Sequence, residues 1–147
     1  MKLSSRSRYA TRALLDLALH YGEGPLPLKE ISRRQQISQQ YLEHLITPLI
    51  AGGLVSSTRG ARGGVWLAKP PAEIKLLDIF RLVEGPLVLV ECLSKPETCQ
   101  RAPSCATRDV WEEMMQAMNG VLEATTLQDL VERQQEKTRG GERMYHI

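Results

Sequence analysis

Two short amphipathic segments, separated by a three-residue break, constrain this fold more than any other feature of the sequence. The first segment spans residues 28–35, and the break occupies residues 36–38. The second segment begins after Ser38, a residue type that caps helix N-termini, and repeats apolar residues at helical spacing through Leu49. Pro48 lies inside it and predicts a bend or a tightened end. Two short helices with so tight a connection indicate a helix-turn-helix.

The flanking segments extend this motif into a larger unit. Residues 5–21 carry the apolar spacing of an amphipathic helix, and residues 54–58 and 65–68 are short runs of strand-forming residues. Between these runs lies a tip of residues 59–64, rich in glycine and arginine. The order of one helix, a helix-turn-helix and a basic hairpin predicts a mainly α winged helix-turn-helix with a two-stranded wing.

The second half of the chain predicts different elements. Residues 74–83 indicate a further helix, which ends the DNA-binding domain expected over residues 1–85. Residues 86–106 show no periodicity and contain the cysteines, whereas residues 107–133 predict a long helix and a short terminal one. The polar residues 134–147 predict a disordered tail. The long helix has a broad apolar stripe, which predicts homodimerisation through Val110, Trp111, Met114, Met115, Met118, Val121 and Leu122.

Charge is distributed unevenly along the chain. Residues 1–70 contain ten Lys and Arg against four Asp and Glu, whereas residues 71–147 contain nine against thirteen. A basic first half favours a polyanionic partner, most simply double-stranded DNA, although a solvated basic face is the plain alternative. No apolar run approaches the length of a membrane span, so we expect a cytoplasmic protein with no membrane partner.

The first turns of the second short helix are the candidate base-reading residues, since a helix-turn-helix inserts that end into the major groove. They are Ser38, Gln39, Gln40, Tyr41, Glu43 and His44. Glutamine pairs with adenine edges, and the Glu43 carboxylate can accept from a cytosine amino group. In the hairpin, Arg59, Gly60 and Arg62 form a thin cationic tip suited to a minor groove. Taken alone, the helix residues are equally compatible with an ordinary polar surface.

The three cysteines, Cys92, Cys99 and Cys105, lie six to seven positions apart among polar residues. Three is an odd number for a set of disulfides, and buried cysteines normally occupy periodic apolar segments. The separations exceed those typical of zinc-finger pairs. A loop that wraps thiolates around something larger than one ion favours an iron–sulfur cluster, with zinc and a bare thiol switch as alternatives.

These features together resemble the iron–sulfur-responsive winged-helix repressors. The resemblance covers about residues 1–133 and lies in residues 3–18, 37–43, 53–60 with Gly63 and Gly64, and the three-cysteine loop. It implies a homodimer that binds a two-fold symmetric operator, with a 2Fe-2S or 4Fe-4S cluster on Cys92, Cys99 and Cys105 that controls DNA binding. The branch that regulates cluster assembly is the most similar over the DNA-reading half.

The fourth cluster ligand departs from the resemblance. One branch uses a histidine three residues after the last cysteine, where this chain has Arg108, and others use residues that match Arg8 and Arg12. An arginine side chain cannot ligate a metal, since it has no available lone pair. The remaining candidates are water, a small molecule, or one of Glu91, Glu97, Ser104, Asp109, His20 and His146.

The sequence therefore predicts a regulator, most simply a repressor, of iron–sulfur biogenesis or of iron and redox genes. A winged-helix sensor of nitric oxide or thiol oxidation is the alternative, and an iron–sulfur or thiol redox protein is the alternative from another class. No catalytic constellation or small-molecule substrate site emerges, so we do not expect an enzyme.

Overall fold

The computed structural model describes residues 2–145, which are mostly helical. The α-helices and strands run, in chain order, α1 (Ser5–Leu19), α2 (Leu28–Gln35), α3 (Gln39–Ala51), β1 (Val55–Thr58), β2 (Gly64–Leu67), α4 (Leu76–Glu84), α5 (Glu91–Ser94), α6 (Ala106–Ala124) and α7 (Leu127–Tyr145). Single 3-10 turns cover Pro71–Glu73, Pro96–Thr98 and Ala102–Ser104. The predicted mainly α fold with a two-stranded wing is confirmed.

Helix α1 forms the centre of the core. The Ser4 hydroxyl caps it by accepting from the Ser7 amide, and its inner face is fully buried. Helices α2, α3, α4 and α7 and strand β2 all pack on α1. The buried side chains around it come from every part of the described chain except the cysteine segment and α6, and they include Leu14, Ile31, Leu42, Leu49, Val65, Ile79 and Leu127.

The helix-turn-helix has the predicted boundaries. Gln36 adopts a left-handed conformation with φ of 55°, which reverses the chain after α2. The Ser38 hydroxyl then caps α3 by accepting from the Tyr41 amide at 3.2 Å. Helix α3 continues through Pro48 to Ala51, because a proline near the end removes only one intrahelical donor.

The wing is an antiparallel hairpin in which Val55 pairs with Leu67 and Thr58 with Gly64. Leu26, in the connection between α1 and α2, adds an isolated bridge to Val65. Gly64 is required at this crossing, because a Cβ there would overlap the Leu26 backbone. The hairpin is thereby attached to the helices and is more than a free loop.

Helix α6 is attached to the DNA-binding unit at its C-terminal end. Leu76 donates its amide to the Thr125 carbonyl and Leu127 donates to Ile74, both at 2.9 Å. On the same side, Leu122 is only 8% exposed and packs with Leu77 and Phe80. Leu122, and Met118 beside it, thus pack on their own protomer, and their part in a dimer contact stays a prediction.

The chain after residue 133 also differs from its prediction. Residues 134–147 were expected to be disordered, but α7 continues as a helix to Tyr145, and residues 146 and 147 lie outside the described range. The paired glycines at 140 and 141 favoured a tail, yet Leu127 and Val131 anchor the first turns in the core. Good helix formers such as Gln135, Glu136 and Lys137 then propagate the helix. Along the described residues, no helix combines the length and apolarity that crossing a bilayer requires.

Candidate DNA-binding surface and cysteine segment

The predicted base-reading residues lie on one open surface of α3. Ser38, Gln39, Gln40, Glu43 and His44 are all exposed. Tyr41 differs, because it is half-buried and its ring meets the ring of Tyr9 edge-to-face, with centroids 6.0 Å apart. Tyr41 therefore packs against α1, whereas its neighbours remain available to a ligand.

A surface groove joins α3 to the wing. From α3 it is lined by Gln39, Glu43 and Thr47, and from the wing by Ser57, Thr58, Arg59 and Gly60. Lys29 on α2 also lines it. Four of the predicted DNA-binding residues, Gln39, Glu43, Arg59 and Gly60, therefore line the same groove. Arg62 is exposed at the wing tip. Sequence reasoning missed Lys29 and Thr47, since only the folded hairpin places them beside the wing.

An ion pair between a buried aspartate and a partly exposed arginine joins α1 to the helix-turn-helix. Asp16 on α1 is 2% exposed and receives hydrogen bonds from Arg34 and Gln35 at the end of α2. Burial alone raises the pKa of the Asp16 carboxyl, but the hydrogen bonds from Arg34 and Gln35 and the charges of Arg34 and His20 outweigh it. The pKa of Asp16 consequently lies below its ordinary value.

The three cysteines are free thiols in the segment between α4 and α6. Cys99 is exposed, and Cys92 and Cys105 are half-buried. Cys105 occupies the N-cap position of α6, and its Sγ lies 3.2 Å from the Thr107 hydroxyl. This hydrogen bond, with the backbone amides of Arg108 and Thr107, lowers the pKa of the Cys105 thiol. Cys105 is thereby biased toward the thiolate that a metal or an oxidant requires.

The segment does not assemble a complete metal site. Among residues 2–145, no three His, Cys, Asp or Glu side chains lie close enough together to hold an ion. Arg108 occupies the space beside the thiols, where its Nε donates to the Cys92 carbonyl at 3.3 Å and its side chain lines a pocket with Cys99. His20, one predicted alternative ligand, instead bonds to Asp16 on α1, and His146 lies outside the described residues.

The three thiols nevertheless match an iron–sulfur cluster in donor type, although the described side chains do not converge on one point. Three thiols within one segment are the soft donors that such clusters take. The fit is incomplete at the fourth position, because Arg108 cannot ligate. Arg8 and Arg12 also cannot, and they lie on the exposed side of α1.

Comparison with known families and relatives gives one consistent result. The profile of the Rrf2 family, described as an iron-dependent transcriptional regulator, matches residues 3–133. The transcriptional regulator IscR of Photorhabdus laumondii is 41% identical over 92% of this chain and 82% of its own length. The transcriptional regulator CymR of Bacillus subtilis is 42% identical over 88% of this chain and 89% of its own length.

Solved structures match equally well. The structure of CymR, the global cysteine regulator of B. subtilis, superposes with a TM-score of 0.78 at 39% identity, covering 90% of this chain and 98% of that one. IscR of T. potens superposes with a TM-score of 0.77 at 39% identity, covering 93% and 90%. These matches confirm the resemblance and the winged-helix fold, in a family of transcriptional regulators rather than of enzymes. The chain therefore belongs to the Rrf2 family of DNA-binding transcriptional regulators.

Proposed function

We propose that this regulator is a homodimer whose affinity for operator DNA is controlled by an iron–sulfur cluster on Cys92, Cys99 and Cys105. The observation that carries the proposal is the placement of three free thiols in the single segment that leads into α6. The iron–sulfur cluster would supply a group that oxygen, nitric oxide or iron limitation can remove. Relatives named IscR and CymR show that family membership alone does not choose the sensed signal.

The chain's own residues offer a route from this segment to DNA. Cys105 is the N-cap residue of α6, and the Arg108 side chain in the first turn donates a hydrogen bond to the Cys92 carbonyl. At its other end, α6 is bonded through Thr125 to Leu76 in the DNA-binding unit. A change in the cysteine segment therefore acts on a helix attached to the unit that reads DNA.

Dimerisation through α6 is supported by its exposed apolar face. Val110, Trp111, Met114 and Val121 are 39–65% exposed, although Leu122 faces inward. Large apolar side chains in a row on one helix favour a partner surface, and a second copy of α6 provides the simplest one. Two DNA-binding units joined in this way match a two-fold symmetric operator.

A second candidate is a thiol-oxidation switch on the same DNA-binding fold. The observation that favours it is the acidified Cys105 thiol in a segment whose described side chains assemble no ion site. In this function, oxidation of the cysteines would change α6 directly. Zinc in place of iron is a third possibility for the same thiols.

One experiment separates these functions. The full chain is purified without air, and its visible absorption and its iron and sulfide contents per protomer are measured. Cluster sensing predicts a coloured protein that loses colour in the Cys92→Ala, Cys99→Ala and Cys105→Ala variants. It also predicts a change of several-fold to about a hundred-fold in affinity for a duplex selected from a random library when the cluster is removed. A colourless, iron-free protein after reconstitution would contradict the cluster, and air-dependent DNA binding of that protein would support the thiol switch.

A further inference from the structure

We propose that Arg8, Tyr9, Arg12 and Tyr41 form a phosphate-binding cluster that adds α1 to the DNA-binding surface. The proposal rests on DNA binding by this family and is independent of what the cysteines hold. Its partner is the sugar–phosphate backbone of the operator, beside the groove that α3 enters. We call these four residues the arginine–tyrosine cluster.

The geometry of the arginine–tyrosine cluster holds two guanidinium groups on one ring. The Cζ atoms of Arg8 and Arg12 lie 5.7 and 5.4 Å from the centroid of the Tyr9 ring, within cation–π distance. The Tyr9 ring in turn meets Tyr41 at an interplanar angle of 84°. Arginine loses considerable side-chain entropy when it is immobilised, so a pair already placed by a ring binds an anion at a lower cost.

Arg8 and Arg12 differ from Arg33 and Arg34 of α2 because their charge is not neutralised by a carboxylate. Arg33 pairs with Glu30, and Arg34 pairs with both Glu30 and Asp16. Within residues 2–145, no carboxylate lies at ion-pair distance from Arg8 or Arg12, and both side chains are exposed.

The other hydrogen bonds of the two guanidinium groups go to neutral acceptors. Arg8 donates to the Ser5 hydroxyl at 3.3 Å, and Arg12 donates to the backbone and side-chain oxygens of Gln35. Such contacts orient a guanidinium without cancelling its charge. Both groups therefore remain able to bind an anion.

The location identifies phosphate rather than a base edge as the partner. Tyr41 belongs to the first turn of α3, and Gln35 is the last residue of α2, so the cluster lies beside the N-terminal end of the recognition helix. When that end enters the major groove, the DNA backbone runs along its flanks. The α3 N-terminus, with its positive end of the helix dipole, favours a phosphate at the same place. Tyr41 then serves to position the arginines, and the exposed Gln39 and Gln40 remain for the bases.

The test measures the salt dependence of DNA binding with the full-length protein. A fluorescein-labelled duplex of random sequence is titrated by anisotropy at salt concentrations between about 50 and 200 mM, because phosphate contacts determine this slope. We expect Arg8→Gln and Arg12→Gln each to reduce the log–log slope by about one per bound chain and to weaken binding several-fold at the lowest salt. Lys137→Gln removes the same charge from the exposed surface of α7 and should keep the wild-type slope.

Two further variants show whether weaker DNA binding comes from the geometry of the arginine–tyrosine cluster or only from the loss of positive charge. Tyr9→Leu keeps the net charge but removes the ring that holds the arginines, and we expect it to bind DNA more weakly than the wild type. Arg8→Lys keeps the charge without the guanidinium, and we expect a DNA affinity between those of Arg8→Gln and the wild type. The helix content of each variant is checked by circular dichroism. If Arg12→Gln loses helix content because its hydrogen bond to Gln35 is gone, Arg8→Gln decides the outcome. The proposal is overturned if Arg8→Gln has the same slope as Lys137→Gln and Tyr9→Leu binds like the wild type.

Discussion

The Asp16 carboxylate on α1 accepts both arms of the Arg34 guanidinium at the end of α2, with Oδ1–Nη2 and Oδ2–Nε distances of 2.6 and 3.0 Å. This bidentate contact joins the core helix to the first helix of the helix-turn-helix. Because Asp16 is buried and Arg34 is only about one-quarter exposed, solvent screens the pair weakly. The pair therefore links α1 directly to the helix that precedes α3.

Asp16→Asn should lower the free energy of unfolding by about 2 to 3 kcal/mol, since it weakens a charged, buried hydrogen-bond set. The folded-state pKa of Asp16 lies below its ordinary value, so its stabilisation is complete above the unfolded pKa of about 4 and is lost as pH falls through the folded pKa. Urea unfolding of both proteins between about pH 7 and pH 3 measures this. Glu23→Gln, at an exposed position after α1, is the control, and parallel pH curves for Asp16→Asn and wild type would contradict the prediction.

Gly64→Ala should detach the wing from the helices. A Cβ at this position overlaps the Leu26 backbone, so the bridge between Leu26 and Val65 must open. We expect faster proteolysis at residues 59–63 and weaker DNA binding. Gly140→Ala is the control, because nothing lies within 4 Å of a Cβ added there. An alanine in place of glycine inside a helix should raise the free energy of unfolding by about 0.5 to 1 kcal/mol. Equal cleavage rates in Gly64→Ala and wild type would show that the bridge does not hold the wing.

Met114→Glu should weaken the proposed homodimer at least about tenfold, because a two-fold contact through α6 would bring the two introduced carboxylates near each other in an apolar interface. Met114 is 39% exposed on the open face of α6. Sedimentation over a concentration series measures the dissociation constant. Gln116→Glu adds the same charge at an exposed polar position of α6 and should leave assembly intact. If both variants dimerise like the wild type, another surface joins the protomers.

Thr107→Val should slow the alkylation of Cys105 several-fold near neutral pH. The Thr107 hydroxyl is the main cause of the lowered Cys105 pKa, so its removal raises that pKa and reduces the thiolate fraction. Mass spectrometry of cluster-free protein exposed to iodoacetamide gives the rate at each cysteine. Thr98→Val, whose hydroxyl donates to the Lys95 carbonyl, is the matched control. An unchanged rate at Cys105 would indicate that the α6 backbone alone acidifies the thiol.

If the chain holds the proposed cluster, Arg108→His should lengthen the lifetime of that cluster, since an imidazole would add a nitrogen donor close to the three thiols. The readouts are iron content after desalting and the decay of visible absorption in air. Arg108→Gln is the control, because it also removes the bond to the Cys92 carbonyl but adds no imidazole. Equal decay in the two variants would place the fourth ligand elsewhere.

The sequence predicted the DNA-binding half well because local signals there agree with one another. Ser38 caps α3 as expected, and the hairpin forms where its glycines and strand formers indicate. These features depend on residues close together in the chain. The groove residue Lys29 was missed because only the folded hairpin brings it near Arg59.

The second half was harder to predict for a physical reason. The wide apolar stripe on α6 does not reveal which of its residues pack on the same chain and which remain for a partner. Leu122 packs on the same chain because α4 covers it. Gly140 and Gly141 have a low helix propensity. Helix α7 nevertheless continues through them, because its first turns are held in the core by Leu127 and Val131. The fourth ligand stays a prediction, since nothing in the spacing of the cysteines specifies a partner distant in sequence.

Two backbone hydrogen bonds, from the Leu76 amide to the Thr125 carbonyl and from the Leu127 amide to the Ile74 carbonyl, hold the C-terminal end of α6 like a pivot. A helix of 19 residues is about 28 Å long, so a tilt of about five degrees about that end moves the other end by about 2.4 Å. Cys105 sits on the moving end. In the homodimer that we propose, a small rearrangement around this sulfur would tilt α6 and rotate one DNA-binding unit relative to the other.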